Sequence, residues 1–332
     1  MKQSWNKIRW VFLILCAVLL LNWLFTPGFF RIVVKDGHLY GSLIDIVDRA
    51  APVMLLSLGM SLVIATGGVD LSVGAVMAII GSLAAKLIVE WHYAFPIVLA
   101  VCLALGLALG LWNGTLVSFL GVQPIVATLI LMVAGRGIAQ LLTNGQIITF
   151  ETGPLVYLGG GFLGSVPFTF TLVAVSTGLV HALVRRTALG LFIEAVGDNE
   201  TGSRFSGLNT RFIKCLAYAI SGFFGALAGL IVTSDIKAAD ANNAGLYIEL
   251  DAILAVVLGG TALAGGRFYL VNSLIGALLI QTLTTTILTR GVPIEFTLVV
   301  KALMILMVCL AQSEQFRASI IRPFRKRHEV PA

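Results

Sequence analysis

Apolar runs close to the ~20 residues of a bilayer-spanning helix follow one another down this chain, parted by short polar breaks. Lipid offers no water to an unpaired backbone group, so such a chain must close its hydrogen bonds within helices or a barrel. Barrel strands would read as alternating segments of about 10 residues. These runs are continuous, and the fold class is all-α. Charge agrees: 58% of the 332 residues are hydrophobic and only 11% charged, against about 25% charged in a typical soluble domain. That supply cannot dress a water-facing globule of this size. Soluble enzymes, nucleic-acid binders and disordered chains are excluded.

Reading runs against breaks predicts a polytopic bundle of about ten transmembrane helices, near 10–30, 50–66, 71–90, 96–119, 121–143, 167–184, 213–234, 251–266, 268–289 and 294–313. The chain, 1–332, reads as a single transmembrane domain: a bundle over 10–313, a loop at 185–212 and a basic tail at 314–332. The first run is longer than a signal-peptide core and no small-residue cleavage site follows it, so it is expected to be retained. Of the 22 basic residues, fourteen fall on the side of the N-terminus and six on the other. The positive-inside rule then puts both termini and the 185–212 loop in the cytoplasm, with the tail lying near anionic lipid. Spans two and three are parted only by Gly67-Gly68-Val69-Asp70, and the eighth is short. Broken or re-entrant helices are therefore expected near 67–74 and 259–266.

Catalytic patterns are missing. Gly-Lys occurs nowhere, which removes a P-loop; there is no H-E-x-x-H and no G-x-S-x-G. The four cysteines lie inside apolar runs at no paired spacing, as buried small hydrophobes do. A formal G-x-G-x-x-G at 159–164 has no strand before it and no βαβ unit after it, and reads as a loop. No metal site and no cofactor on this chain are expected.

Polar groups inside spans are costly and mark sites by default. Asn113, Gln123, Thr128, Gln281 and Thr285 are neutral hydrogen bonders, and no carboxylate sits at the middle of a span. A proton- or sodium-coupled carrier generally needs such a carboxylate, so a neutral, hydroxyl-rich cargo fits better, with these five lining its path. Arg136 is expected to pair with carbonyls at a broken helix end, and Lys301 with Glu295. Gly106, Gly110 and Gly114 repeat at small-xxx-small spacing, as do Ser221, Gly225 and Gly229, which lets helices approach closely in lipid. Gly67, Gly68, Asp70, Ser72 and Gly74 form a turn and helix start whose cap is Asp70 or Ser72. Gly259 and Gly260 open a similar phrase. In the 185–212 loop, helical stretches are predicted at 188–196 and 199–206, with Asp198 as N-cap of the second and Gly207 as its stop. Their apolar residues among charges suit docking to a cytoplasmic partner.

Three motifs resemble the ribose/xylose/galactose-type permeases of ATP-binding cassette importers: Thr66–Gly74, Ala195–Asn199 followed by Ser206-Gly207, and Glu249–Gly260. The resemblance spans about 45 to 312. Gln123–Gly137 and Ala239–Leu246 are most similar to bacterial galactofuranose importer permeases. It implies an inner-membrane subunit carrying a neutral monosaccharide, galactofuranose or a related pentose or hexose. Implied partners are a second permease (homo- or heterodimer), ATPase subunits holding ATP and Mg, and a periplasmic sugar-binding protein. ATPase coupling would fall on Phe192, Glu194, Gly197, Asn199, Arg204 and Gly207. Arg49, Lys237 and Arg290, cations on an otherwise acidic outer side, would dock the binding protein. One departure is Thr201-Gly202 where the family has Ala-Ala; glycine weakens a short helix by roughly 1 kcal/mol. The alternative reading is a facilitator or secondary transporter without an ATPase.

Overall fold

The computed structural model describes residues 2–151, 153–291 and 293–312; the basic tail expected at 314–332 lies outside them. Helices follow in the order α1 (Lys2–Phe25), α2 (Ser42–Ala65), α3 (Val73–Val89), α4 (Phe95–Ser118), α5 (Pro124–Thr143), α6 (Val156–Gly160), α7 (Phe168–Arg186), α8 (Leu189–Asp198), α9 (Glu200–Phe205), α10 (Thr210–Ile236), α11 (Ile248–Leu258), α12 (Leu270–Thr289) and α13 (Ile294–Gln312). Each expected span falls on one of these. Six of them, α2, α4, α5, α7, α10 and α12, are long and apolar enough to cross a bilayer by length and composition.

α1 starts and stops earlier than the expected 10–30, and two further boundaries differ for identifiable reasons. α2 starts at Ser42, two turns before 50. The polar Asp45, Asp48 and Arg49 that hid this start face a cavity, where a helix can carry them. α11 stops at Leu258 instead of reaching 266, because the chain turns at Gly259 and Gly260, the latter at φ +93°. The break at 66–72 and the break at 259–269 are both present as non-helical connections between packed helices.

The core sits around α2 and α10, whose most apolar stretches are 83% and 78% buried, against 22% for α4. Small residues bring α10 close to its neighbours. On α4, a Cβ at Gly114 would lie 2.8 Å from the Cα of Cys215, and one at Gly106 would lie 2.7 Å from the Gly222 carbonyl oxygen. On α10, Gly229 approaches the backbone of Met77 in α3 at the same range. Both small-xxx-small stripes are therefore packing faces. Among the described residues, three two-stranded antiparallel pairings decorate the end opposite the 185–212 loop: β1 (Val33–Lys35) with β2 (His38–Tyr40), β3 (Ile148–Thr149) with β6 (Ala238–Ala239), and β4 (Phe162–Leu163) with β5 (Val166–Pro167). The glycine-rich 159–164 stretch spans the end of α6 and β4, and Gly159 packs against the backbone of Ile231 and Asp235 in α10.

Candidate functional site

At the loop end, α8 and α9 form where two short helices were expected. The cap of the second is Asn199 and not Asp198. Asn199 has extended backbone, and its Oδ1 accepts from the Gly202 N–H at 2.8 Å. Asp198 closes α8 instead. Gly202, the departure from the family pattern, lies inside α9; a Cβ there would sit 3.1 Å from the Asn199 side chain, so glycine gives the cap room. Gly207 stops the helix at φ +87°, its N–H donating to the Arg204 carbonyl. Phe192 and Glu194 are half-buried, and Phe192 packs on the core. The apolar groups turned outward are Leu191, 68% exposed, and Phe205, 88% exposed, with Asn199 and Arg204 also exposed. Leu191 was missed by sequence reasoning, because helical phase alone does not say which face meets the bundle.

Gly197 ties this loop to both glycine-broken segments. A Cβ on it would overlap the Ala65 carbonyl oxygen, the last of α2, and lie 2.5 Å from the Gly266 nitrogen. The Gly266 N–H donates to that same Ala65 carbonyl at 2.9 Å. A Cβ on Gly265 would lie 2.9 Å from the Gly197 carbonyl oxygen and 3.0 Å from the Gly67 nitrogen, so three stretches of backbone meet with no side chain between them. Gly265 and Gly266 repeat the Gly-Gly signal of 67–68; that repetition was the available clue.

The five residues expected to line one path are not brought together. Asn113 and Thr128 sit fully buried around the 66–72 segment. There Asp70 Oδ1 accepts from the Ser72 N–H and hydroxyl at 3.0 and 2.6 Å, and Oδ2 from the Ser221 hydroxyl at 2.7 Å. Asn113 donates to Ser72 Oγ at 2.8 Å, and the Thr128 hydroxyl reaches the Val69 carbonyl at 3.4 Å. Ser72 holds the cap position of α3 without a side-chain cap bond; Asp70 instead takes the Ser72 amide. Gly68 lies against the Tyr218 hydroxyl, and Gly74 against Glu249 and the Gly245 carbonyl. Gln123 is elsewhere, in a groove of about 720 Å³ beside α9.

Gln281 and Thr285 share the opposite end, 3.3 Å apart, on a cavity of about 570 Å³ between α2, α7, α10 and α12. Asp45, Asp48, Arg49, Asp235 and Thr284 also line it, and Thr169 donates to Asp48 across it. Its volume is that of a small-molecule cleft. Arg49 thus faces a mostly acidic cavity. Arg290 donates to the Phe25 carbonyl at 3.2 Å and lies over the Phe25 ring, while Lys237 caps α10 in left-handed backbone.

Arg136 donates to the carbonyls of Ala241 and Ala244 at 3.2 and 2.6 Å, the structural use expected of it. Those carbonyls belong to the 240–247 turn, which Asp240 organises. Slight burial of its carboxyl is outweighed by bonds from the Asn243 side chain and the Asn243 and Asn242 amides, with Arg136 nearby, holding its pKa below the usual aspartate value. Lys301 pairs with Asp251 at 2.6 Å and so joins α13 to α11. The side chain of Glu295, its expected partner, lies outside the described residues.

Helices long and apolar enough to cross a bilayer, with a cavity at each end of the bundle, are the frame on which the family comparison falls. Residues 42–309 match the family described as "branched-chain amino acid transport system / permease component", and the chain belongs to that family. It is 53% identical to the galactofuranose transporter permease protein YtfT of Escherichia coli (strain K12), over 95% of this chain and 92% of that protein. It is 40% identical to the fructose import permease protein FruF of Bifidobacterium longum (strain NCC 2705), over 88% and 83%. It is 35% identical to the ribose import permease protein RbsC of Escherichia coli (strain K12), over 87% and 88%. No solved structure matches it significantly. The chain is a multi-pass permease of the bacterial inner membrane.

Proposed function

We propose that this chain is the membrane subunit of an ATP-binding cassette importer for a neutral monosaccharide, galactofuranose before a related pentose or hexose. The observation that carries the substrate is the 53% identity, along nearly all of both chains, to a permease named for galactofuranose. The end cavity supports it: hydroxyls and amides of Thr284, Thr285 and Gln281, with flanking carboxylates, can exchange bonds with sugar hydroxyls. We assign ten crossings with both termini cytoplasmic, from the basic bias of the loop-end segments. The cavity is then the outer vestibule, and α8–α9 meets a cytoplasmic ATPase that hydrolyses ATP with Mg. The full assembly adds a second permease and a periplasmic binding protein, whose docking face includes Arg49, Lys237 and Arg290. Coupling runs through Leu191, Arg204 and Phe205 at the surface and through Gly197 beneath it. Gln281, Thr285 and Gln123 stay on the path. Asn113 and Thr128 support it from within the buried knot.

Reconstitution of the permease with its ATPase and binding protein in vesicles tests this. Galactofuranose uptake should require both ATP and the binding protein, and Leu191→Asp should abolish ATP-driven uptake without lowering the melting temperature. Uptake at the same rate without ATP would instead establish a facilitator.

A further inference from the structure

A small cavity of about 160 Å³ lies where the last turns of α7 meet the start of α12, and it shares no residue with the sugar path or the α8–α9 surface. His181 and Arg185 line it from α7, and Tyr269, Leu270, Val271 and Asn272 from α12. Among the described residues no aspartate or glutamate lines it, and each polar side chain there can donate a hydrogen bond. α12 opens at Tyr269 with no side-chain cap. Its first bond runs from the Ser273 N–H to the Tyr269 carbonyl, so among the described bonds the amides of Leu270, Val271 and Asn272 have no acceptor. The positive end of a long helix therefore stands at the cavity. A second observation is independent of that. Asn272 is only 4% exposed, and its Nδ2 has no acceptor among the described residues. Burying a donor without an acceptor is costly, and here the cavity is the place from which an acceptor can come. Arg185, in the last turn of α7 with Arg186, also suits the carbonyl end of its own helix. That role accounts for a cation, and leaves the Asn272 amide and the open start of α12 unexplained.

We propose that this cavity binds a phosphate group, with Arg185 and His181 on one side of it and the Asn272 amide and the α12 start on the other. A lining of donors without a carboxylate selects a ligand that accepts on every face, and a cation among the donors selects an anion. The volume suits one tetrahedral oxyanion and not a whole nucleotide. The group arrives as free phosphate or as the phosphate end of a soluble or lipid ester. Once bound, it joins α7 to α12 beside the 259–269 connection.

The test is equilibrium dialysis of the purified full chain in mild detergent against radiolabelled inorganic phosphate, with chloride in excess. The chain should take up phosphate saturably. Arg185→Gln, at an exposed position, should weaken that uptake by about ten-fold. Asn272→Leu removes a donor that has no partner in the free chain, so it should also weaken uptake, while the melting temperature without phosphate holds or rises. Should Arg185→Gln not fold, Asn272→Leu decides. Competition then separates the sources. Displacement of the label by glycerol 3-phosphate would identify a soluble solute, displacement by dioctanoyl phosphatidic acid alone a lipid headgroup, and displacement by neither inorganic phosphate itself; each fits the assignment. Absence of saturable uptake by the parent would overturn it, as would unchanged affinity in a folded Arg185→Gln. Loss of the label to chloride at matched concentration would show an unselective cationic patch and overturn it too. So would an Asn272→Leu chain that melts lower yet binds phosphate as the parent does, since Asn272 would then serve packing alone.

Discussion

At 66–72 the chain passes from α2 to α3 through a segment held by its side chains; at 259–269 it passes from α11 to α12 through one whose bonds among the described residues are mainly backbone ones. In the first, Asp70 collects three hydrogen bonds, Ser72 adds one from Asn113, and Val69 offers its carbonyl to Tyr218 and Thr128. In the second, the amides of Gly259, Gly260 and Gly265 close local turns, that of Gly266 reaches Ala65, and the Tyr269 amide donates to the Thr261 hydroxyl oxygen at 3.4 Å. Both arrive at the same contact with Gly197 of α8. Among the described bonds, the first segment is tied to the bundle by buried side chains and the second mainly by backbone turns.

The largest effect should come from breaking the anchor. Asp70→Ala leaves the Ser72 amide, its hydroxyl and the Ser221 hydroxyl without their acceptor in a dry interior, and should cost about 3 kcal/mol or more. Thermal unfolding in detergent reads it; a loss below about 1 kcal/mol would mean that the segment is not anchored through Asp70. Next comes the shared contact. Gly197→Ala forces a Cβ into the Ala65 carbonyl and should cost about 1–3 kcal/mol. Gly265→Ala strains a residue at φ +94° and should cost about the same. Because the two glycines touch, the double variant should lose less than the sum of the singles, and strict additivity would show that they do not share a junction. The smallest effect belongs to the second segment. Thr261→Ala should cost less than about 1 kcal/mol, and a loss matching that of Asp70→Ala would erase the distinction between the two segments.

What the sequence determined by itself was everything that lipid dictates locally. A backbone in hydrocarbon must satisfy itself within its own helix, so each apolar run foretold a helix, and the 185–212 pattern foretold α8 and α9 to within two residues, with the cap on Asn199 instead of Asp198. Glycine spacing foretold which helix faces pack closely, since only a missing Cβ permits the approach seen at Gly106 and Gly114. The resemblance to sugar permeases was equally legible, being carried by short motifs in order. Tertiary structure alone decided which distant residues meet. Lys301 pairs with Asp251 across two helices, the five neutral polar residues separate into a buried knot, an end cavity and a groove, and α2 keeps three charged residues in its first turns because a cavity receives them. Hydropathy is a property of one segment against its solvent. A contact between Gly197, Ala65 and Gly266 depends on how whole helices pack, and no single segment contains that information.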